Sequence, residues 1–166
     1  MFSAVARYLA VVALAVWTGS LVFFGAVLAP TAFKLMPSPH DAGMLVGAAL
    51  QHLHIIGLGC GLVAVLCLLA AGWGRLGKTA AAIVLVLVMM GLTEASQYVV
   101  LPQMERDRAT ARADISSLAW DDAKRADFDK LHDWSEWIEE AVLACGLAAL
   151  AFALMPLRRE DDSIEF

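Results

Sequence analysis

Four long runs of apolar residues, with no polar face on any of them, dominate the pattern along the chain. The first covers about residues 8–29 and is closed by Pro30, and the second covers 45–71. The third covers 79–101 and meets Pro102, and the fourth span covers 131–157, its apolar run beginning at about Trp137 and ending against Arg158 and Arg159. At ~1.5 Å of rise per residue, each is long enough as a helix to cross a hydrocarbon core of ~30 Å. Barrel strands would alternate polar and apolar positions, and these runs do not. Arg7 in front of the first run resembles a signal-peptide start. The run, however, exceeds the roughly 7–15 residues of such a peptide's apolar core, so it is read as a retained span. The expected fold is all-α: an integral membrane bundle of four transmembrane helices, up-down, forming one domain over residues 1–166, with an extra-membrane helical segment before the fourth span.

The connections between the runs carry their own signals. Pro37-Ser38-Pro39 breaks the chain before the second span, with Asp41 as the expected N-cap. Residues 72–78, rich in glycine, read as a tight hairpin that makes spans two and three antiparallel neighbours. The polar connection 103–130 mixes acids and bases, with Asp121 and Arg125 spaced for an i,i+4 pair. Ile115, Leu118, Trp120, Phe128, Leu131 and Ile138 give it an apolar stripe, so it is expected to be an interfacial helix running into the fourth span. Trp73, Trp134 and Trp137 read as anchors at the membrane interface. An even number of spans places both termini on one side. The basic residues Arg7, Arg75, Lys78, Arg158 and Arg159 make that side the cytoplasmic face of a plasma or inner membrane.

Composition sharpens this picture by exclusion. The chain is 60% hydrophobic and 17% charged, against about 45–50% and about 25% in soluble domains. With a mean hydropathy of +0.69, a soluble enzyme is not expected. A net charge of -5 offers no basic face for nucleic acid. The three cysteines, Cys60, Cys67 and Cys145, lie inside apolar runs, so neither a disulfide framework nor a zinc ribbon is encoded. No nucleophile with a base, phosphate loop or dinucleotide fingerprint is present, and the protein is expected not to be an enzyme.

The informative residues are the polar ones inside the spans. Glu94 lies roughly 7 Å inside the far boundary of the third span by the helical rise, beside Thr93, Ser96 and Gln97. It shares a face with Gln97 by i,i+3 spacing and is expected to point into the bundle. On the same depth scale His52 and His54 from span two, and His132, Glu136, Glu139 and Glu140 from span four, reach the same level. Thr18 and Ser20 offer hydroxyls from span one. The ordinary explanation is a hydrogen-bonded network with interfacial anchors. The functional one is a proton or cation site, with a metal ion or haem as a lesser alternative. Glu94, His54, His132 and Glu136 would then be the ligand candidates. Cys60 and Cys67, on one face by i,i+7, with Cys145 and Met89-Met90, offer a soft-metal alternative against plain apolar packing. Gly57-x-x-x-Gly61 is a helix-contact motif, for the bundle itself or for a second molecule.

Several short motifs occur in a fixed order: Trp17-Thr18-Gly19, Phe23-Phe24, Ala29-Pro30, Phe33, Ala42-Gly43, Tyr98, Leu101-Pro102, and residues 128–132 with Phe128 and His132. This order resembles the small four-span family of unknown function that includes transmembrane protein 205, a family associated with resistance to platinum drugs. The resemblance covers nearly the whole chain. It implies an integral membrane protein without established catalytic activity and a link to metal-drug handling, and it supplies no catalytic residues. Trp17, Gly19, Pro30, Phe33, Pro102, Phe128 and His132 are the positions it carries over. The expected function is handling or export of a small solute or metal ion through a polar layer around Glu94. The alternative is an accessory subunit that contacts another membrane protein through Gly57, Gly61 and the segment 103–130. The bilayer is the expected environment, with a second copy or another membrane protein as partner, and no cofactor is required.

Overall fold

Four helical rods make up the computed structural model, which describes residues 2–71, 76–110, 115, 118–119 and 122–155. The first rod is α1 (Phe2–Phe23), a π-helical turn over Phe24–Leu28, and α2 (Ala29–Leu35). The second is α3 (Pro39–Ala71). The third is α4 (Leu76–Ala95), a π-helical turn over Ser96–Val100, and α5 (Leu101–Thr110), and the fourth is α6 (Ala123–Leu154). All four are long and apolar enough to cross a membrane, and no strand occurs among the described residues.

Two prolines expected to stop helices instead lie inside them. A proline ring collides with the carbonyl four residues back and donates no N–H, so an α-helix cannot simply run through it. Here the wide turn just ahead absorbs both defects. The Ala29 N–H reaches back to the Phe24 carbonyl before Pro30, and the Leu101 N–H to the Ser96 carbonyl before Pro102. The offset is the same in both rods, and both helices continue past their proline. The first ends at Leu35, where Met36 turns extended ahead of Pro37.

The start of α3 also departs from expectation. Ser38, not Asp41, is the cap: its hydroxyl accepts the Asp41 N–H (3.1 Å) and donates to the Asp41 carboxylate (2.8 Å). The Ser38 hydroxyl thus holds both the backbone and the side chain of Asp41 across the first turn, with Pro39 at the first helical position, where a missing N–H costs nothing. At α6 the cap is Asp122, which accepts from the Lys124 N–H at 2.8 Å. Arg125 lies 3.7 Å from Asp129 and donates to the Leu118 carbonyl at 2.7 Å. Asp121, Trp120, hairpin residues 72–75 with Trp73 and Arg75, and the basic pair Arg158 and Arg159 lie outside the described residues.

Chain neighbours are also neighbours in space. α1 packs against α3 and α6, and α4 packs against the same two, which closes an up-down square. At its centre Trp17, Leu14, Met89, Val86 and Val142 are fully buried. The indole of Trp17 lies directly on the backbone of α3 at Gly57 and Gly61. A Cβ on Gly61 would come within 2.8 Å of the ring and 2.9 Å of Met90, and one on Gly57 would collide with the indole nitrogen. Gly146 on α6 gives the same clearance to Thr18 and Met89. The Gly57 and Gly61 motif is therefore spent inside the bundle. Cys60 and Cys145 pack on this core, and Cys67 on a smaller cluster with Ala10, Leu68 and Ala82. Arg7 ties the first and last helices together at one end of the bundle: its Nε donates to the Ala153 carbonyl at 2.7 Å, and its Nη2 to the Met155 carbonyl. These are otherwise orphan acceptors of the last turn of α6, where a cation also suits the helix dipole.

Candidate functional site

Polar side chains collect toward the end of the bundle opposite Arg7. The buried positions of α3 include Leu50, His54, Gly57, Gly61, Ala64 and Leu68, a stripe at helical spacing that carries His54 to the interior. Its ring is fully buried. Nδ1 lies 2.9 Å from Gln97 Oε1, and Nε2 lies 2.7 Å from Glu139 Oε1. The Ser96 hydroxyl donates to the same Glu139 oxygen at 3.3 Å. Both ring nitrogens face an oxygen, and a neutral imidazole has only one N–H. An imidazolium donates to both, or one partner is itself the donor: a protonated Glu139 carboxyl to Nε2, or a Gln97 amide turned so that its NH2 donates to Nδ1. The second carboxylate oxygen, Glu139 Oε2, is buried and has no partner among the described residues. Trp17 Nε1 and Thr93 Oγ1, buried nearer the core, likewise have none among them.

Of the residues expected in this layer, His54, Gln97 and Glu139 converge and others do not. Glu94 is exposed on the outer face of α4, the main correction to the expected site. Met89, Thr93 and Ser96 are fully buried and define the inward face, and Glu94 stands roughly 100° around the helix from Thr93. His52 also faces outward, its Nδ1 2.7 Å from the Ala48 carbonyl one turn back. Thr18 and Ser20 return their hydroxyls to the Leu14 and Val16 carbonyls, both at 2.7 Å, and do not join the layer. His132 and Glu136 pair at 3.2 Å along the exposed side of α6. The proposed ligands Glu94, His54, His132 and Glu136 are thus dispersed. Among the described residues no three of His, Cys, Asp and Glu form a group that could hold a metal ion.

Glu139 lines a cavity of about 510 Å³ between the first rod and α6. One wall is apolar, with Leu21, Phe24, Pro30 and Phe33 from the first rod and Leu50 from α3. The other is the polar side of α6, with His132, Glu136, Glu139 and Glu140. Gly25, Pro30, Glu136 and Glu140 are exposed as well as cavity-lining, so the space opens sideways between the rods. At its mouth stand Glu105, which accepts from Gln51 at 2.6 Å, and Arg108. Arg108 donates to the Gly43 carbonyl at 3.2 Å and covers the Phe128 ring at 5.1 Å. A Cβ at Gly43 would come within 2.8 Å of that guanidinium, so the glycine is what lets Arg108 lie flat on α3. From Phe128 to Glu139 is roughly 16 Å along α6; Arg108 therefore marks the mouth and Glu139 the depth. Both π-helical turns border the site: Phe24 and Gly25 line the cavity, while Ser96 and Gln97 reach the His54–Glu139 pair. Arg108, Glu105 and Ser96 were not singled out from the sequence as site residues. Nothing in the sequence marked Ser96 as inward; its register with Met89 and Thr93 does so only once those two are seen to be buried.

The family described as a domain of unknown function (DUF4149) matches residues 12–113, more than half of the chain. The chain belongs to the DUF4149 family. No curated protein and no solved structure matches it. The DUF4149 match takes in His54, Ser96, Gln97 and Arg108 and stops before α6. Glu139 and the rest of the polar wall thus come from the span that follows it.

Proposed function

We propose that this DUF4149 protein binds and moves a small solute within the membrane, with the cavity as its chamber and Glu139, in place of Glu94, as its anchoring carboxylate. One observation carries this: a carboxylate held in place on one oxygen by His54 and Ser96 lines a cavity whose other walls are largely apolar. Mostly apolar walls with few polar groups are the usual make-up of a small-molecule site. The accessory-subunit alternative loses one of its two surfaces, because Gly57 and Gly61 are filled from inside by Trp17.

The test compares wild type with Glu139→Gln and Gly25→Phe in cells challenged with a panel of toxic cationic, anionic and neutral amphiphiles and metal salts. Gly25 lines the cavity, and a Cβ there meets no atom of the described residues within 4 Å, so a large side chain fills the chamber without a clash at its root. The wild type is expected to change the accumulation of at least one compound, and both variants to abolish the change. Equal accumulation in all three would overturn the proposal.

A further inference from the structure

We infer that the solute is an organic cation: a protonated amine on a compact apolar body, its charge set against the α6 carboxylates Glu136, Glu139 and Glu140. This rests on the cavity being a solute chamber and adds the class of solute. Four carboxylates line the cavity, Glu105, Glu136, Glu139 and Glu140, against one guanidinium, Arg108. Arg108 is already engaged with Gly43 and Phe128, roughly 16 Å from Glu139 along α6. At the deep end the field on a solute is therefore set by the α6 acids and by His54, whose Nε2 is turned to Glu139 Oε1. An ammonium group brings the charge opposite to these acids and N–H groups for the oxygens that face the cavity, and a charge-assisted bond of this kind is about twice as strong as a neutral one. An anion there would meet carboxylates with little water to screen them.

The opposite wall suits the remainder of such a molecule. Phe24 and Phe33 make that wall aromatic, a surface that tolerates a cation nearby, and Leu21 and Leu50 suit an apolar body. A bare metal ion finds no such fit, because half of the wall is hydrocarbon. The lateral opening beside Gly25 and Pro30 admits an amphiphile directly from the hydrocarbon layer.

The test uses one rigid body in three charge states: 1-adamantylammonium, 1-adamantanecarboxylate and 1-adamantanol. Binding is measured calorimetrically to the full chain in phosphatidylcholine nanodiscs, with empty nanodiscs subtracted. The ammonium is expected to bind at least tenfold more tightly than the other two. Glu139→Gln should remove that preference, and Glu139→Asp, which keeps the charge, should retain part of it. If Glu139→Gln does not fold, Gly25→Phe serves in its place and should abolish binding. Tighter binding of the carboxylate or the alcohol, blocked by Gly25→Phe, would overturn the cation assignment and leave the solute chamber standing. Binding indifferent to Gly25→Phe, or no binding of any probe, would overturn both.

Discussion

Glu94 and Gln97 stand three residues apart on one helix, yet only Gln97 reaches the buried imidazole. Depth was legible from the residues alone, because a helix climbs a fixed distance per residue. Counting from the ends of the apolar runs brought His54, Gln97 and Glu139 to one level, where they meet. Angle was not legible. A span that is apolar all round carries no phase in its pattern, so nothing in residues 79–101 said whether Glu94 or Ser96 faced inward. That phase comes from tertiary contacts: Met89 against Gly146, and Ser96 against Glu139. The two glutamates should therefore behave oppositely. Glu94→Leu is expected to leave stability within about 0.5 kcal/mol, since it touches none of the buried features that give large effects. His54→Leu strips Glu139 of its main partner. Its cost is expected on the order of 2 kcal/mol, between the ~1 of an intramembrane hydrogen bond and the ~3–5 of a broken buried ion pair. Glu139→Gln keeps an acceptor for His54 and Ser96 and should fall nearer to Glu94→Leu. Unfolding in mixed micelles measures all three, and a larger loss for Glu94→Leu than for His54→Leu would contradict the inward phase of α4.

The elements themselves were legible as four long helices, and their ends and interruptions less so. Pro30 and Pro102 look like stops because a proline in a regular α-helix is one. The π-helical turns that let the rods pass them have no residue signature of their own. Pro102→Ala restores an N–H and removes the ring, so the turn over Ser96–Val100 is expected to tighten to α-helix. Tightening by one residue rotates everything beyond it by roughly 100°, which takes Arg108 off Gly43. Arg108 should then react several-fold faster with phenylglyoxal, read by peptide mass spectrometry, and an unchanged rate would show that the turn does not depend on its proline. The glycines divide in the same way. A methyl group at Gly57 meets the Trp17 indole and one at Gly146 meets Thr18, whereas a Cβ at Gly59 meets no atom of the described residues within 4 Å. Overpacking of a filled core costs about 1–3 kcal/mol, so Gly57→Ala and Gly146→Ala should lose that much and Gly59→Ala none. Equal effects at all three would mean that the Trp17 contact is not tight. The spacing of Gly57 and Gly61 announced a close helix contact, but not that a side chain from α1 would fill it.

At the scale of the whole molecule the two ends of the bundle differ in kind. One end is sealed: Arg7 holds the last carbonyls of α6, and Ala10, Leu68 and Ala82 fill the space between the rods. The layer above is sealed too, by Trp17, Met89 and Val142, all fully buried. At the other end the cavity separates α2 from α6 and reaches Glu139 from outside. Among the described residues, a solute that reaches Glu139 from aqueous solution comes from the side of the 36–38 corner and finds no way onward. The consequence is a directional pattern of labelling. With the native cysteines replaced, single cysteines at positions 3 and 155 should react with a membrane-impermeant maleimide from one side of a sealed vesicle. Cysteines at position 38 and at Ser135, on the cavity wall, should react from the other. Reaction of the Ser135→Cys variant from the side of positions 3 and 155 would reveal a path through the Trp17 layer and refute the one-sided chamber. Reaction of positions 3 and 155 from opposite sides would refute the up-down bundle itself. If Ser135→Cys reacts only from the expected side in the resting protein, any passage of solute requires a second conformation. Pro30 and Pro102, each just beyond a wide turn at the edge of the cavity, are where the rods should bend to reach it.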